Sequence, residues 1–413
     1  MIAFLITVIK LLIILACVAV IHEFGHFIFA KLFKMDVNEF SIGFGPKIVQ
    51  KKYKGTMYSL RWIPLGGYCA IEGEDGESET EGSFAKKGTF AKLVVLIAGA
   101  TFNAILAFVL FISVAYTVPT YNTKITGLAE NSVAANAGLQ VGDEIVSING
   151  KDVHLQSELV NRDEDGNDAV IEYIRNGKTE TVTVKDATQN IGYIGVSFLA
   201  TNDASNTIEM VASGGKAADN GLKAGDQILS INRTDTNTAD EVVNYIRENP
   251  DKQLDFEIKR DNETFNVSFT PDSKRNFDLG ITSTEQIKTN FKYAMYTTFD
   301  NIKTIVGSYV DLFKGKVGLD QMSGIVGIGE VVSKTSGFIP FLNLMAIISL
   351  AVGVANIMPF PPLDGGKMVI VIGEAITRKK MPINVEAILS YIGLGLLILL
   401  TIFVTYNDIV RIF

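Results

Sequence analysis

Four apolar runs constrain this chain more than any other feature. Residues 2–30, 93–118, 338–358 and 385–406 are each long enough to cross a bilayer as a helix, which takes about 20 apolar residues. A chain with that much apolar length folds as a polytopic helical membrane protein, because helices satisfy their own backbone groups in lipid. The first run lacks a basic stretch ahead of it and a small-residue cleavage site, and it is too long for a signal peptide; it reads as a retained span. Basic residues orient the spans. Ten Lys/Arg lie in 31–92, and Lys367, Arg378, Lys379 and Lys380 follow the third run. Short Lys/Arg-rich loops stay cytoplasmic, and both loops fall on one side when all four runs span. Both termini and the long segment between the second and third spans are then expected outside the cytoplasm.

That long segment differs from the rest. Residues 119–290 carry 16 Lys/Arg and 28 Asp/Glu, a balance of −12, so the chain's net −8 comes from this segment and the remainder is slightly basic at +4. Such acidity argues for solubility and against a nucleic-acid partner, which would need a basic stripe. Two distant cysteines, Cys17 and Cys69, make no disulfide framework. The segment also repeats itself. Ala137-Gly138-Leu139 through Ser147-Ile148-Asn149, with Gly142-Asp143 inside, returns 83 residues later as Asn220-Gly221-Leu222 through Ser230-Ile231-Asn232, with Gly225-Asp226 inside. Gly-Asp followed by alternating Ile/Val reads as a turn entering a half-buried strand. Further alternation follows at 169–174 and 254–258, and 238–248 reads as a helix. Each copy is a small α+β domain. The pair resembles PDZ domains of the bacterial protease-associated form. That resemblance implies two copies that either bind extended peptides at a sheet edge or act as steric spacers.

The chemistry lies in the first span. His22-Glu23-Phe24-Gly25-His26 puts two imidazoles four residues apart, on one face of a helix. They can hold one ion together, while Glu23 is placed to reach an ion-bound water rather than the ion. Ionisable groups inside a membrane helix are costly and mark function. A catalytic zinc needs a third protein ligand and an open position, and residues 27–32 offer neither acid nor imidazole. Asp364 is the favoured third ligand. It follows Asn356-Ile357-Met358-Pro359-Phe360-Pro361-Pro362-Leu363 and precedes Gly365-Gly366, a broken stretch at membrane depth that is tolerated only inside protein or along a wet cavity.

Together these motifs resemble the site-2 proteases, within them the bacterial regulator-of-sigma-E protease type, over nearly the whole chain. The resemblance implies a zinc-dependent intramembrane endopeptidase of the bacterial cytoplasmic membrane, with the PDZ pair extracytoplasmic and the active site near the cytoplasmic side. Glu23 would be the catalytic base and His22, His26 and Asp364 the zinc ligands. Asn356, with Pro359 in the same motif, would contact substrate. Gly43–Pro46 and Ile63–Tyr68, including Gly66 and Gly67, look like the family's membrane-dipping β-hairpins, which present an extended substrate strand. Implied partners are single-pass membrane substrates such as anti-sigma factors or remnant signal peptides, cut after a prior extracytoplasmic cleavage, and the lipid bilayer itself. The second helix departs from the family's Gly-Pro-x-x-Asn as Gly99-Ala100-Thr101-Phe102-Asn103, and Ile325 stands where Pro is usual.

The expected layout is a first membrane half over 1–118 (span 2–30, β region 31–92, span 93–118), PDZ copies at 119–200 and 201–273, amphipathic linker helices at 274–337, and a second membrane half over 338–413 (spans 338–358 and 385–406). Phe291, Ala294, Met295, Phe299, Ile302 and Ile305 recur at helical spacing in 285–313, predicting an amphipathic helix on the outer leaflet, against the substrate, or on the PDZ pair. Two other readings, a membrane-anchored PDZ scaffold and a metal transporter, leave Glu23 without a role.

Overall fold

The computed structural model describes residues 2–412 apart from 75, 77, 161, 163–165, 199–204, 213, 262 and 316–321. Residues 119–288 form one compact unit, and the residues before and after them form the other.

The membrane unit begins with α1 (Ile2–Leu32), apolar on all sides except at Lys10, His22, Glu23, His26 and Lys31. A helix of this kind is held by lipid and neighbouring helices, not by an amphipathic stripe. The chain then forms β1 (Val37–Tyr53) and β2 (Thr56–Ile71). Each strand bends and pairs twice. Phe40 has Tyr58 on one side and Cys69 on the other, and the outer halves close at Tyr53↔Thr56. The turn uses Lys54 and Gly55, both at positive φ. Residues 67–71 are thereby left with a pairing partner on one side only, among the described residues. Helix α2 (Thr89–Ala115) follows and packs on α1.

The insert opens with β3 (Thr120–Leu128), α3 (Val133–Asn136), β4 (Glu144–Ile148), β5 (Lys151–Asp152), β6 (Ala169–Arg175) and β7 (Lys178–Val184). Next come β8 (Thr188–Tyr193) and β9 (Val196–Phe198). The second copy repeats the order as β10 (Ile208–Val211), α4 (Lys216–Asp219), β11 (Gln227–Ile231), β12 (Thr234–Asp235), α5 (Ala239–Arg247), β13 (Leu254–Arg260) and β14 (Glu263–Phe269). It ends with β15 (Asp272–Phe277) and β16 (Ile281–Ile287). The repeated Gly-Asp now has a reason. Asp143 accepts the Gln140 N–H and a two-pronged bond from Arg175; Asp226 accepts the Lys223 N–H and the same from Arg260. Both carboxylates are buried, so each needs this bidentate partner.

The two copies exchange their last strands. β9 pairs with β10 of the second copy, whereas β16 returns to pair with β3 of the first. β8 and β15 cross as an antiparallel ladder from Thr188↔Phe277 to Tyr193↔Asp272. Phe277 and Leu279 are buried in the first core with Ile125 and Ile145, and Ile194 in the second with Ile208 and Ile228. Residues 272–277 and 281–287, expected partly with the second copy and partly as linker helix, are therefore strands, and β16 completes the first copy's sheet. The boundary expected between 200 and 201 lies outside the described residues.

The membrane unit resumes with α6 (Phe291–Phe313), α7 (Ile325–Lys334), α8 (Phe338–Ile357), α9 (Asp364–Thr377) and α10 (Ile383–Ile412). α6 is the expected amphipathic helix, but its apolar face packs on α2 and α8. Ile302 and Ile305 lie against the cluster of Ala107 and Phe111, Phe299 meets Phe108 edge-on at 6.1 Å, and Tyr309 donates to the Ala351 carbonyl at 2.9 Å. Asp408 of α10 accepts the Gly324 and Gly327 N–H groups at the start of α7. Among the described residues four helices, Ala3–Leu32, Thr89–Ala115, Phe338–Ile357 and Ile383–Val410, are long and apolar enough to cross a membrane, and they coincide with the four apolar runs.

Candidate metal centre

The i, i+4 spacing on α1 brings the two imidazoles together, ring centroids 4.8 Å apart and edge to face. Asp364 reaches them as the first residue of α9, presented by the loop 358–363. Gly365 is required there, since a Cβ would run into the Ile357 carbonyl oxygen. The result is a tight cluster: His22 Nε2 to Asp364 Oδ2 is 3.1 Å, His26 Nε2 to Asp364 Oδ2 is 3.3 Å, and Nε2 to Nε2 is 3.1 Å. Both imidazoles are buried.

Proton bookkeeping identifies what this cluster holds. His26 Nδ1 lies 2.8 Å from the Val95 carbonyl oxygen, which can only accept, so Nδ1 carries the proton and Nε2 presents its lone pair. Asp364 Oδ2 is buried without a donor of its own. Protonating both Nε2 atoms would set two N–H donors 3.1 Å apart, facing each other. A cation satisfies all three atoms at once. Gly99 of α2 leaves the necessary room, because a Cβ there would collide with His26 Nε2 and come within 2.6 Å of His22 Cε1 and 2.8 Å of its Nε2. Two imidazole nitrogens and one carboxylate oxygen, with a position left open, are the donor set of a catalytic zinc. Among the described residues this is the one group of three or more His, Cys, Asp or Glu placed to hold a metal.

Glu23 stands beside the triad and outside its ligand set. Its carboxylate lies beside the backbone N–H of Cys69 in β2. Gly67 of the same strand passes close by, its Cβ position 3.8 Å from Glu23 Cγ. Gly66 is buried at φ +117, against the Phe44 ring and Ala19. Phe24 and Phe27 of α1 pack on Phe40 of β1 and lock the sheet to the helix. The expected substrate-binding residues thus divide. Gly66 and Gly67 lie on the strand beside Glu23, whereas Asn356 and Pro359 lie in the last turn of α8 and the loop beyond. The roles of Val95 and Cys69 come through backbone atoms and leave no mark in a sequence. Asn103 does leave one: it is a polar side chain inside an apolar span, the same signal that singles out the histidines.

The family model for peptidase family M50 matches residues 10–400. The chain belongs to peptidase family M50. With the triad and Glu23 in place, this M50 member is a site-2-type zinc metalloprotease. It is 29% identical over 431 aligned residues to the regulator of sigma-W protease RasP of Bacillus subtilis, covering 98% of this chain and 99% of that one. A zinc metalloprotease RasP of Bacillus licheniformis is likewise 29% identical, covering 98% and 99%. A putative zinc metalloprotease of Neisseria meningitidis is 28% identical, covering 95% and 96%.

The clearance at Gly99 gives this M50 protease a direct test. Gly99→Ala improves helix propensity by about 1 kcal/mol but puts a methyl group where the two imidazoles meet. Each ring is held at its far nitrogen by α2, so neither swings away freely. Zinc affinity is expected to fall by about tenfold or more without loss of thermal stability in the metal-free protein. Chelator competition and thermal melts measure the two quantities.

Proposed function

We propose that this M50 protease hydrolyses peptide bonds within the transmembrane segments of single-pass substrates, after a first extracytoplasmic cut. The observation that carries this is the position of Glu23: a carboxylate beside a three-ligand metal cluster on an apolar helix, next to the one-sided strand 67–71. Zinc, when bound, activates a water and polarises the scissile carbonyl. Glu23 takes the proton from the attacking water and passes it to the leaving amine. A helical substrate hides its carbonyls in its own hydrogen bonds. The unpaired edge of 67–71 offers backbone partners that replace those bonds one for one as the substrate unwinds, and Gly66 and Gly67 let it approach closely. In the same reading Asn356 and Pro359, at the end of α8 and in the loop leading to Asp364, contact the substrate from that side. The Bacillus subtilis relative is named for sigma-W regulation, so anti-sigma factors are the favoured substrates, with remnant signal peptides next. The membrane is the cytoplasmic membrane of a bacterium, with the catalytic centre toward the Lys/Arg-rich side. The test is cleavage of a single-pass reporter by the purified protein in liposomes; reporter left intact while a soluble peptide is cut would overturn the reading.

The two copies of the insert are, in the same reading, PDZ domains that filter substrates by size and hold peptide ends. Thr120 and Ile287 are paired neighbours at the base of the insert, so its ends can be rejoined by a short Gly/Ser linker. Replacing 121–286 with such a linker is expected to permit cleavage of reporters that still carry a bulky extracytoplasmic domain. Size discrimination that survives the replacement places the filter elsewhere.

A further inference from the structure

Val95, Gly99 and Asn103 recur every four residues and form one face of α2, antiparallel to His26 and His22 on α1. Val95 takes the Nδ1 proton of His26, and Gly99 clears space for both rings. Asn103 faces the remaining ring nitrogen. Its amide nitrogen is placed 3.5 Å from His22 Nδ1, and its amide oxygen is buried with no donor. The residue is fully buried, and its backbone carbonyl is fixed by Ser349 Oγ of α8 at 2.9 Å. The two ends of an amide have the same shape and are assigned from their partners. Turned end for end, the orphaned oxygen faces His22 Nδ1 and gains the donor it lacks. With His22 Nε2 turned toward Asp364 and the metal site, Nδ1 carries the ring proton and needs an acceptor, which selects that orientation.

We propose that Asn103 is a positioning residue that accepts the Nδ1–H of His22 and so holds its Nε2 lone pair toward the metal. Ligating histidines are set in tautomer and direction by what their second nitrogen bonds. α2 then serves both ligands of α1, His26 through a main-chain carbonyl and His22 through a side-chain one. The proposal rests on the metalloprotease reading and deepens it.

The test compares zinc affinity, by chelator competition, and the visible spectrum of the cobalt-substituted protein, in full-length detergent-purified samples. Asn103→Asp keeps an acceptor at the same reach and is expected to stay within about threefold of wild type. Asn103→Leu removes it and is expected to weaken zinc by about 10–100-fold, with a shifted cobalt band. Ser349→Ala loosens the same helix contact without touching the amide and is expected to leave zinc unchanged. An Asn103→Leu protein with wild-type affinity and spectrum overturns the proposal. So does an Asn103→Asp variant as weak as the Asn103→Leu variant, or a Ser349→Ala loss of equal size, which would mean packing alone. Should Asn103→Leu not fold, the Asn103→Asp and Ser349→Ala pair still decides between acceptor and packing. Wild-type protein that takes up no zinc defeats the metalloprotease reading along with this one.

Discussion

Glu23→Gln is expected to keep its zinc and lose its proteolysis. The substitution preserves length and shape, and glutamine retains a carbonyl oxygen for the Cys69 N–H. Packing against β2 therefore stays as it is. The three metal-binding atoms come from His22, His26 and Asp364, none of which changes. What disappears is the carboxylate proposed to take a proton from water and return it to the departing amine. General acid–base groups contribute about 10²–10⁴-fold, and Glu23 serves in both directions, so the upper part of that range is expected. Reporter cleavage in liposomes gives the rate, and metal analysis of the same sample gives the zinc content. Cleavage at the wild-type rate would transfer the base role to another group. Loss of zinc together with activity would make Glu23 a ligand instead of a base.

Much of this was legible in the chain because the relevant signals are local. Four long apolar runs yield spans whatever their partners, and imidazoles four apart share a helix face before any tertiary contact forms. Asp364 was legible through its surroundings, since prolines and glycines at membrane depth need a reason. The strand exchange in the insert was not. Ile194-Gly195-Val196 and Leu279-Gly280-Ile281 show the same alternation, and alternation fixes which face of a strand is buried, not which sheet it joins. Proximity in sequence favours the wrong partner for β16, whose partner β3 lies at the other end of the insert. The same holds for α6, whose apolar face was plain while its partners, α2 and α8, were not. At the site, the orienting groups escaped because two of them are backbone atoms, and Gly99 and Asn103 stand in the sequence as a motif that does not by itself put them with Val95 on one face toward the histidines.

Asp364→Asn separates the metal from the fold. In the wild type a carboxylate oxygen and two imidazole Nε2 atoms converge within 3.3 Å, an arrangement that only a shared cation satisfies at all three atoms. An asparagine of the same size brings an N–H donor into the cluster, and that donor can bond one of the Nε2 atoms directly. The metal-free variant is thus expected to be at least as stable as metal-free wild type. Zinc binding should suffer on two counts: the neutral amide is a poor ligand, and one imidazole lone pair is already occupied. The loss is expected to reach about 100-fold or more, exceeding the 10–100-fold typical of residues that only orient a ligand. Because ligand stabilisation follows RT ln(1 + [L]/Kd), zinc at 100 times the wild-type Kd adds about 2.7 kcal/mol to wild type and only a few tenths to the variant. Thermal melts with and without zinc read that difference without any assay of proteolysis. A variant that keeps the full zinc-dependent shift would show that the third ligand is not Asp364. One that unfolds without zinc would show that the carboxylate is structural before it is catalytic.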